Sequence, residues 1–358
     1  PALNYLLLPV INRQFYMLNV NNMNKPFILS TAPFFCVCFI VLGISGISSL
    51  TLGDFKLSWL QVINYLWSPI DDTPSFVIWE LRLPRFLTGV LTGAALGMAG
   101  AIVQSITRNP LGSPSLMGVT SGAAFSIVFS FVFFDFSTST MLVFGTIGGL
   151  IAALLTFSIA WKTHLNPIHL TLAGMSISLF FIAGITVLLV SANSDTAGMY
   201  YWLAGSLANR TWQHVEQLYP YVLFGIILGV SFSRPLNLLM LDDITSRSLG
   251  VSVQWWRLVL GIIAVLLTAA SVAVAGPISF VGLIAPHLVK FYFNTHKSKQ
   301  VRHYRNDHFV LLPCSALVGA TLVCCADLLA KYQEMPVGIL CILVGGPLFI
   351  YLIQRQSQ

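Results

Sequence analysis

Charged residues are scarce in this chain. Of its 358 residues only 8% are charged, with 18 Lys and Arg against 12 Asp and Glu, whereas 56% are hydrophobic. A soluble domain carries about a quarter charged residues, and a water-soluble fold of this size without them would expose a large apolar surface. The scarcity of charge therefore excludes a cytosolic enzyme, a disordered chain and a secreted disulfide scaffold. It predicts an all-α polytopic membrane protein.

Motifs for catalysis, metal binding and phosphate binding are also missing from the sequence. It contains no H-E-x-x-H, no G-x-S-x-G and no G-x-x-x-x-G-K-[ST] phosphate loop. The six cysteines lie in or beside apolar runs and form no C-x-x-C pair, which is typical of buried thiols. Lys and Arg are scattered, which argues against a nucleic-acid partner. The chain is therefore expected to be no enzyme and to hold no metal or cofactor.

Apolar runs of about 20 residues are what an α-helix needs to cross a bilayer core about 30 Å thick. We predict about ten such spans, at 28–48, 86–105, 115–134, 141–161, 168–190, 216–233, 256–275, 277–293, 309–330 and 337–353. Ten spans put both termini on the same side of the membrane. With that side inside, thirteen Lys and Arg residues lie at cytoplasmic ends and five at the other ends. The positive-inside rule therefore places both termini in the cytoplasm.

The N-terminal segment, residues 1–27, is expected to be cytoplasmic. Met23 precedes Lys25 and an apolar run, which is typical of a natural start. Residues 1–22 are therefore interpreted either as an upstream extension or as a functional tail. The remaining chain, residues 28–355, is predicted to form a single transmembrane domain.

Glycine and proline mark two kinds of special backbone. Gly89, Gly93 and Gly97 recur every four residues, so they lie on one helix face and let a neighbouring helix approach closely. The stretches 108–124 and 275–287 are rich in Gly and Pro, which predicts irregular backbone. Such backbone is tolerated at membrane depth only where protein or a water-filled cavity covers it. The two stretches are therefore interpreted either as parts of a transport pathway or as ordinary helix turns.

Seven short motifs follow one another along the chain. They begin at Arg82, Gly93, Arg108, Trp202, Arg247, Gly276 and Pro336, and they read R-L-P-R, G-A-A-L, R-N-P-L, W-L-A-G-S-L, R-S-L-G-V, G-P-I-S-F-V-G-L-I-A-P-H and P-V-G-I. In these motifs residues 28–355 resemble the FecCD family, the permease subunits of bacterial ABC importers for iron–siderophore, haem and cobalamin. The resemblance implies a ten-helix permease of the bacterial inner membrane that works as a dimer of identical or homologous subunits. It also implies two ATP-binding partner subunits and a periplasmic substrate-binding protein.

The resemblance implies roles for two groups of polar residues. Arg82, Arg85 and, as a looser match, Lys331 would receive acidic residues of the binding protein; interfacial snorkelling is the alternative. The cytoplasmic segment 236–254 would couple the permease to the ATPases, and an ordinary polar loop is the alternative. The coupling residues are Asp242, Asp243, Arg247, Ser248, Leu249 and Gly250. A short capped helix would start at Asp242 or Asp243 and end just before Gly250. The family usually has Gly-Glu and then Ala in the first turn, where this chain has Asp242-Asp243 and Thr245-Ser246.

Other motif residues are expected to line the pathway or to hold helices together. They are Gly89, Gly93, Gly97, Gln104, Asn109, Pro110, Gly276, Pro277, Gly282, Pro286 and His287. His287 is interpreted as a histidine buried between helices rather than as a ligand or proton relay. Asp327 is the one acid inside an apolar run, and its role is left open between a functional acid and a hydrogen-bond partner at the outer face.

Together these features predict a permease that moves a ferric siderophore by alternating access, driven by ATP on partner subunits. Haem and cobalamin permeases share the motifs and stay as alternatives. A secondary transporter driven by an ion gradient also has broken helices, but the predicted spans hold few ionisable residues. The basic loop 296–305 is expected to contact membrane lipid.

Overall fold

Long apolar runs dictate helices here, because lipid leaves the backbone N–H and C=O groups no partner outside the segment itself. A computed structural model describes residues 20–53, 55–134, 138–192, 197–295 and 307–356, and all regular structure in these ranges is helical. The all-α prediction is confirmed. Residues 1–19 and the basic loop 296–305 lie outside the described residues.

Fifteen α-helices follow one another in the described ranges. They are α1 (Val20–Thr51), α2 (Trp59–Trp67), α3 (Thr73–Phe76), α4 (Leu83–Ile106), α5 (Val119–Phe133), α6 (Thr138–Trp161), α7 (Pro167–Ser191), α8 (Ala197–Leu203), α9 (Trp212–Ser231), α10 (Ser233–Leu239), α11 (Asp243–Ser248), α12 (Val253–Ala275), α13 (Val281–Thr295), α14 (His308–Gln333) and α15 (Val337–Gln356). A π-helical turn (Val77–Arg82) precedes α4, and a 3-10 turn (Pro114–Met117) precedes α5.

Six helical segments in the described part of the chain are long and apolar enough to cross a membrane. They are Thr31–Thr51, Thr73–Ile106, Thr140–Trp161, Pro167–Ser191, Val253–Ala275 and His308–Gln333. The pair α9 and α10, bent by 60°, is a seventh span if both are counted as one. Shorter helices α5, α13 and α15 occupy the other predicted spans. Every predicted span thus contains a helix, and the polytopic prediction is confirmed.

Several predicted boundaries are wrong. The first helix begins at Val20, and its span is Thr31–Thr51 where 28–48 was predicted. The second span begins at Thr73 rather than 86, because α3, the π-helical turn and α4 form one continuous helix of 34 residues. Hydropathy misses its first part because Glu80 and Arg82 lie there; Arg82 donates to the Leu50 carbonyl. The third predicted span starts at 115, but its α-helix, α5, begins only at Val119, after the 3-10 turn.

The eighth predicted span also starts later than expected. Gly276 has φ 72, in the left-handed region, and Pro277 has no N–H to donate to a helix. Residues 276–280 are therefore non-helical, and α13 begins at Val281 rather than 277. The short helices α2 and α8 have no predicted counterpart, because seven to nine residues give too little apolar periodicity to stand out.

Helix α4 lies at the centre of the molecule. It contacts α9, α12, α13 and α14, and most of α4 and α12 is buried, whereas α1 and α7 are largely exposed. The glycine ridge of α4 faces α14: a side chain at Gly93 would meet the backbone of Gly319, and one at Gly97 would meet the carbonyl of Ser315. A side chain at Gly89 would instead approach Leu207. Bare glycine surface therefore lets two long helices lie almost backbone to backbone.

The connections between the helices gather at two opposite ends. The Asp327 end, as it is called below, holds residues 52–53 and 55–72, α8 and the segment 204–211, all of which contribute to the lining of one depression. The Asp243 end holds residues 107–118, α10 and α11, which are joined by contacts described below. Almost all polar side chains considered next lie at one of these two ends.

Candidate functional site

Arg85, at the Asp327 end, is held by a carboxylate of the same chain. Its Nε and Nη2 donate to the two oxygens of Asp327 at 2.9 and 2.7 Å. Asp327 lies on α14 and is 4% exposed, so the pair joins the start of α4 to α14 through two charge-assisted hydrogen bonds. Asp327 is thus a buried ion-pair partner, a role that its sequence context did not decide.

The other two predicted docking residues bind main-chain carbonyls at the end of α1. Arg82 is buried and donates from Nη1 to the Leu50 carbonyl at 2.6 Å. Lys331 Nζ donates to the carbonyls of Ser49 and Leu52 at 2.9 and 2.6 Å. The last carbonyls of a helix lack partners and carry partial negative charge, so cations are favoured there. The structure therefore brings the three predicted residues together and fixes their charges close to the surface.

A depression with a volume of about 630 Å³ opens among these side chains. It is lined by four basic residues, Arg82, Arg85, Arg210 and Lys331, and by one acidic residue, Glu334. Burial and the charge of Arg85 lower the pKa of Arg210 to about 10. Arg210 was missed because no motif marks it; its only signal was a place among the few basic residues on the outer side. This basic depression is suited to receive carboxylate groups.

At the other end, the short helix predicted near Asp242 is present as α11. The carboxylate of Asp242 caps it by accepting from Thr245 N at 2.7 Å and from Thr245 Oγ1 at 2.6 Å. These two hydrogen bonds lower the pKa of Asp242. Gly250 ends the segment with φ 82, a conformation that glycine adopts without strain. Both ends of α11 are therefore set by its own sequence.

Asp243 makes ion pairs with two arginines for which the sequence indicated no site. Its Oδ1 lies 2.6 Å from Arg108 Nη2 and 2.7 Å from Arg257 Nη2, and Arg257 is 0% exposed. Burial raises the pKa of Asp243, but hydrogen bonding to Arg257 and the charges of both guanidiniums outweigh it and lower the pKa overall. Local patterns could not predict these pairs, because Arg108 follows α4, Arg257 lies on α12, and the two are far apart in sequence.

The outer side of α11 carries apolar and basic side chains. Ile244 is 83% exposed and Leu249 is 54% exposed, and Arg247, Ser248 and Gly250 are exposed as well. The predicted coupling residues thus form two groups. Asp243 faces the spanning helices and pairs with the two arginines, and the other predicted coupling residues are exposed.

The two Gly- and Pro-rich stretches lie side by side. His287 Nε2 is 2.7 Å from the Pro110 carbonyl, and its ring packs edge-on against Phe349. Gln104 donates from Nε2 to the Leu283 carbonyl at 3.1 Å. His287 is buried and hydrogen-bonded, as its interpretation as a histidine between helices requires. Among the other predicted residues, Asn109 accepts from Leu111 N, Gly282 approaches the backbone of Gly100, and Pro286 lies inside α13.

The motifs that begin at Trp202, Gly276 and Pro336 come together at the end of α12. Ser206 N donates to the Ala275 carbonyl at 2.8 Å, and Gly338 N donates to the Gly205 carbonyl at 2.9 Å. Gly276 leaves no room for a side chain, because one would meet the Trp202 carbonyl. Backbone N–H and C=O groups of these non-helical residues are therefore hydrogen-bonded to neighbouring segments. Irregular backbone inside a membrane protein needs such partners, because lipid offers none.

Side chains that could bind a metal are not grouped in the described ranges: no cluster of three or more His, Cys, Asp or Glu residues occurs there. The polar chemistry instead consists of ion pairs and of hydrogen bonds to carbonyls at the two ends.

Known proteins are similar to this chain in both sequence and fold. A family model described as the FecCD transport family matches residues 40–355. The Fe(3+)-citrate import system permease protein YfmD of Bacillus subtilis is 35% identical over 311 residues, which are 86% of this chain and 90% of that protein. The ferric enterobactin transport system permease protein FepG of Escherichia coli is 35% identical over 322 residues, 88% of this chain and 93% of that protein. A solved inward-facing conformation of a metal-chelate type ABC transporter is 32% identical with a TM-score of 0.78, and the match covers 90% of this chain and 99% of that one.

Proposed function

The chain belongs to the FecCD transport family and is a permease subunit of a metal-chelate type ABC importer, and on that premise we propose that it carries a ferric siderophore across the bacterial inner membrane. The family assignment made from the motifs is confirmed. Support for the cargo comes from two relatives, of which one is named for Fe(3+)-citrate and the other for ferric enterobactin. A permease subunit of this kind is not itself an enzyme, so ATP is proposed to bind and react on two partner subunits.

The surface of α11 is the observation that carries the proposal. A short capped helix projects exposed apolar side chains, Ile244 and Leu249, beside the charge of Arg247. Apolar side chains next to an arginine are typical of protein interfaces. This helix lies at the end where the basic residues accumulate, which the positive-inside rule makes cytoplasmic. We therefore assign α11 as the contact with an ATP-binding subunit.

The basic depression at the opposite end is the proposed contact with a periplasmic substrate-binding protein. Lys331 and Arg210 lie in its wall, and Arg85 is already paired with Asp327. Opposite surface charges steer and orient docking, so acidic residues of the binding protein are the expected partners. A second permease subunit, identical or homologous, completes the proposed complex.

An ATP-driven mechanism is favoured over ion coupling by the state of Asp327. A carboxylate that transports protons or sodium ions must be able to bind and release the ion, and therefore cannot keep both oxygens in a fixed ion pair. Both oxygens of Asp327 accept from Arg85. Alternating access driven by the partner subunits requires no such acid in this chain.

Reconstitution into proteoliposomes tests the proposal directly. The chain would be purified with its binding protein and ATPase partners, and uptake of a radioactive ferric siderophore, haem and cobalamin would be measured in parallel. Ferric siderophore uptake that needs hydrolysable ATP and persists with an uncoupler is expected. Uptake that follows a proton or sodium gradient without ATP would refute the importer mechanism, and uptake of haem or cobalamin alone would refute the cargo.

A further inference from the structure

Asp243 binds two spanning helices at once. Its Oδ1 contacts Arg108 at 2.6 Å, just after α4, and Arg257 at 2.7 Å, in the first turns of α12. Arg257 also donates from Nη1 to Oδ2 at 3.1 Å, so both oxygens are engaged. A buried guanidinium that loses its carboxylate is left with an uncompensated charge, so the pair resists separation. α11 and the adjoining ends of α4 and α12 are therefore expected to move as one body.

Arg108 extends this connection. Its Nε donates to the Leu239 carbonyl at 2.7 Å, so one side chain holds both α10 and α11. Two residues further on, the Pro110 carbonyl is 2.7 Å from His287 Nε2, which lies on α13. A displacement of α11 thus reaches α4, α12 and α13 through direct polar contacts.

The exposed side chains of α11 and its C-terminal end are not the ones that contact the spanning helices, which is the role of Asp243. Ile244, Arg247 and Leu249 are exposed, and none of them takes part in the ion pairs with Arg108 and Arg257. Docking of a partner and transmission of its movement are therefore separable by mutation within one short helix.

From this geometry we propose that Asp243 is a positioning residue, which transmits movement of α11 to the spanning helices through Arg108 and Arg257. The inference rests on the proposed function, because it assumes that a partner ATPase moves α11. It predicts that an importer without this carboxylate still binds its ATPase and hydrolyses ATP but imports less cargo for each ATP consumed.

The test compares Asp243→Asn with Asp71→Asn in the complete importer in proteoliposomes. The two variants remove the same charge by the same substitution, one on α11 and one at the Asp327 end. Asp71 is exposed, lies outside α11 and the basic depression, and makes no ion pair in the part of the chain that the structure describes. ATPase binding, ATP hydrolysis and ferric siderophore uptake would be measured for each. A roughly tenfold fall in cargo per ATP is expected for Asp243→Asn only, with ATPase binding unchanged.

A second variant keeps the test decisive if Asp243→Asn fails to fold. Arg108→Gln leaves the pair between Asp243 and Arg257 in place, so α11 keeps one of its two anchors. It should also lower cargo per ATP, and the loss in the double variant should be smaller than the sum of the two single losses, because both substitutions remove the ion pair between Asp243 and Arg108. Asp243→Glu, which keeps the charge, should recover part of the uptake.

Each result has a defined meaning. If Asp243→Asn imports as much cargo per ATP as Asp71→Asn, the inference is wrong, and it is equally wrong if Asp243→Asn loses ATPase binding, since Asp243 would then serve docking. If the unaltered importer shows no ATP-dependent uptake at all, the proposed function fails before any variant is compared.

Discussion

A carboxylate and a guanidinium neutralise each other where α4 meets α14. The side chain of Asp327 is 5% exposed and that of Arg85 is 18% exposed. Loss of one partner leaves the other charge without compensation, which costs about 3–5 kcal/mol in a fully buried pair and less where water reaches the remaining group. The pair is thus a structural element of the Asp327 end as well as a neighbour of the proposed docking surface.

Replacement of Asp327 by Asn should destabilise the protein. Because water reaches Arg85 in part, we expect a loss of about 2 kcal/mol, visible as a lower midpoint of thermal unfolding in detergent. Glu80→Gln is the matched control, since Glu80 is an exposed acid near the same end. Equal midpoints for the two variants would show that the buried pair contributes nothing to stability.

Lys331 is the sharper probe of binding-protein docking. Charge reversal at Arg85 would set a new acid against Asp327 and unfold the site. Lys331→Gln removes one charge from the wall of the depression together with the Nζ hydrogen bonds to the Ser49 and Leu52 carbonyls, and it creates no like-charge contact. We expect docking to weaken by about three- to tenfold and to depend less on salt. Lys56→Gln, an exposed lysine outside the depression, is the control. Identical binding by both variants, measured by titration with the binding protein, would exclude the depression as the docking surface.

Sequence and structure agree at single residues only where a motif or a local pattern acts. The capped helix at Asp242 and Gly250 follows from local rules, and the structure contains it. The partner of Arg85 lies 242 positions further along the chain, so its ion pair depends on how α4 and α14 meet. The same holds for Asp243 with Arg108, because tertiary contacts have no local signature.

Glycine determines how closely the two central helices approach. Gly97→Ala should therefore destabilise the bundle, because the new methyl group meets the Ser315 carbonyl. Overpacking of this kind costs about 1–3 kcal/mol. Gly43→Ala on α1 is the control, since nothing lies within 4 Å of its added methyl group. The two thermal midpoints measured in detergent should differ; a Gly97→Ala variant as stable as Gly43→Ala would mean that α4 and α14 do not need this contact.

Elements were predictable where apolar length alone decides them. The spans that became α7 and α12 were placed within a few residues, because both are continuous apolar helices. The start of the continuous helix Thr73–Ile106 was not, because the side chain of Arg82 lowers the hydropathy of its first part, although the Arg82 guanidinium is hydrogen-bonded to the Leu50 carbonyl. The non-helical stretch 276–280 was predicted as irregular, but its boundary depends on the left-handed Gly276.

The whole molecule separates its charges between its two ends. Arg85, Arg210 and Lys331 line a depression at one end, and Arg108 and Arg257 anchor α11 at the other. The long helices between them are almost purely apolar. Such a layout leaves no ionisable route through the described spans, and it makes orientation in the membrane the property on which both proposed interfaces depend.

Orientation can be measured with one cysteine at each end. Lys56→Cys lies at the Asp327 end and Arg247→Cys on α11, and both positions are exposed. Because the positive-inside rule places α11 in the cytoplasm, we expect a membrane-impermeant maleimide to label Lys56→Cys in intact spheroplasts and Arg247→Cys only after lysis. Labelling of the unaltered chain, which has six cysteines, provides the background. The reverse pattern would place α11 outside the cell, where no ATPase could reach it, and would overturn both the coupling and the docking assignments at once.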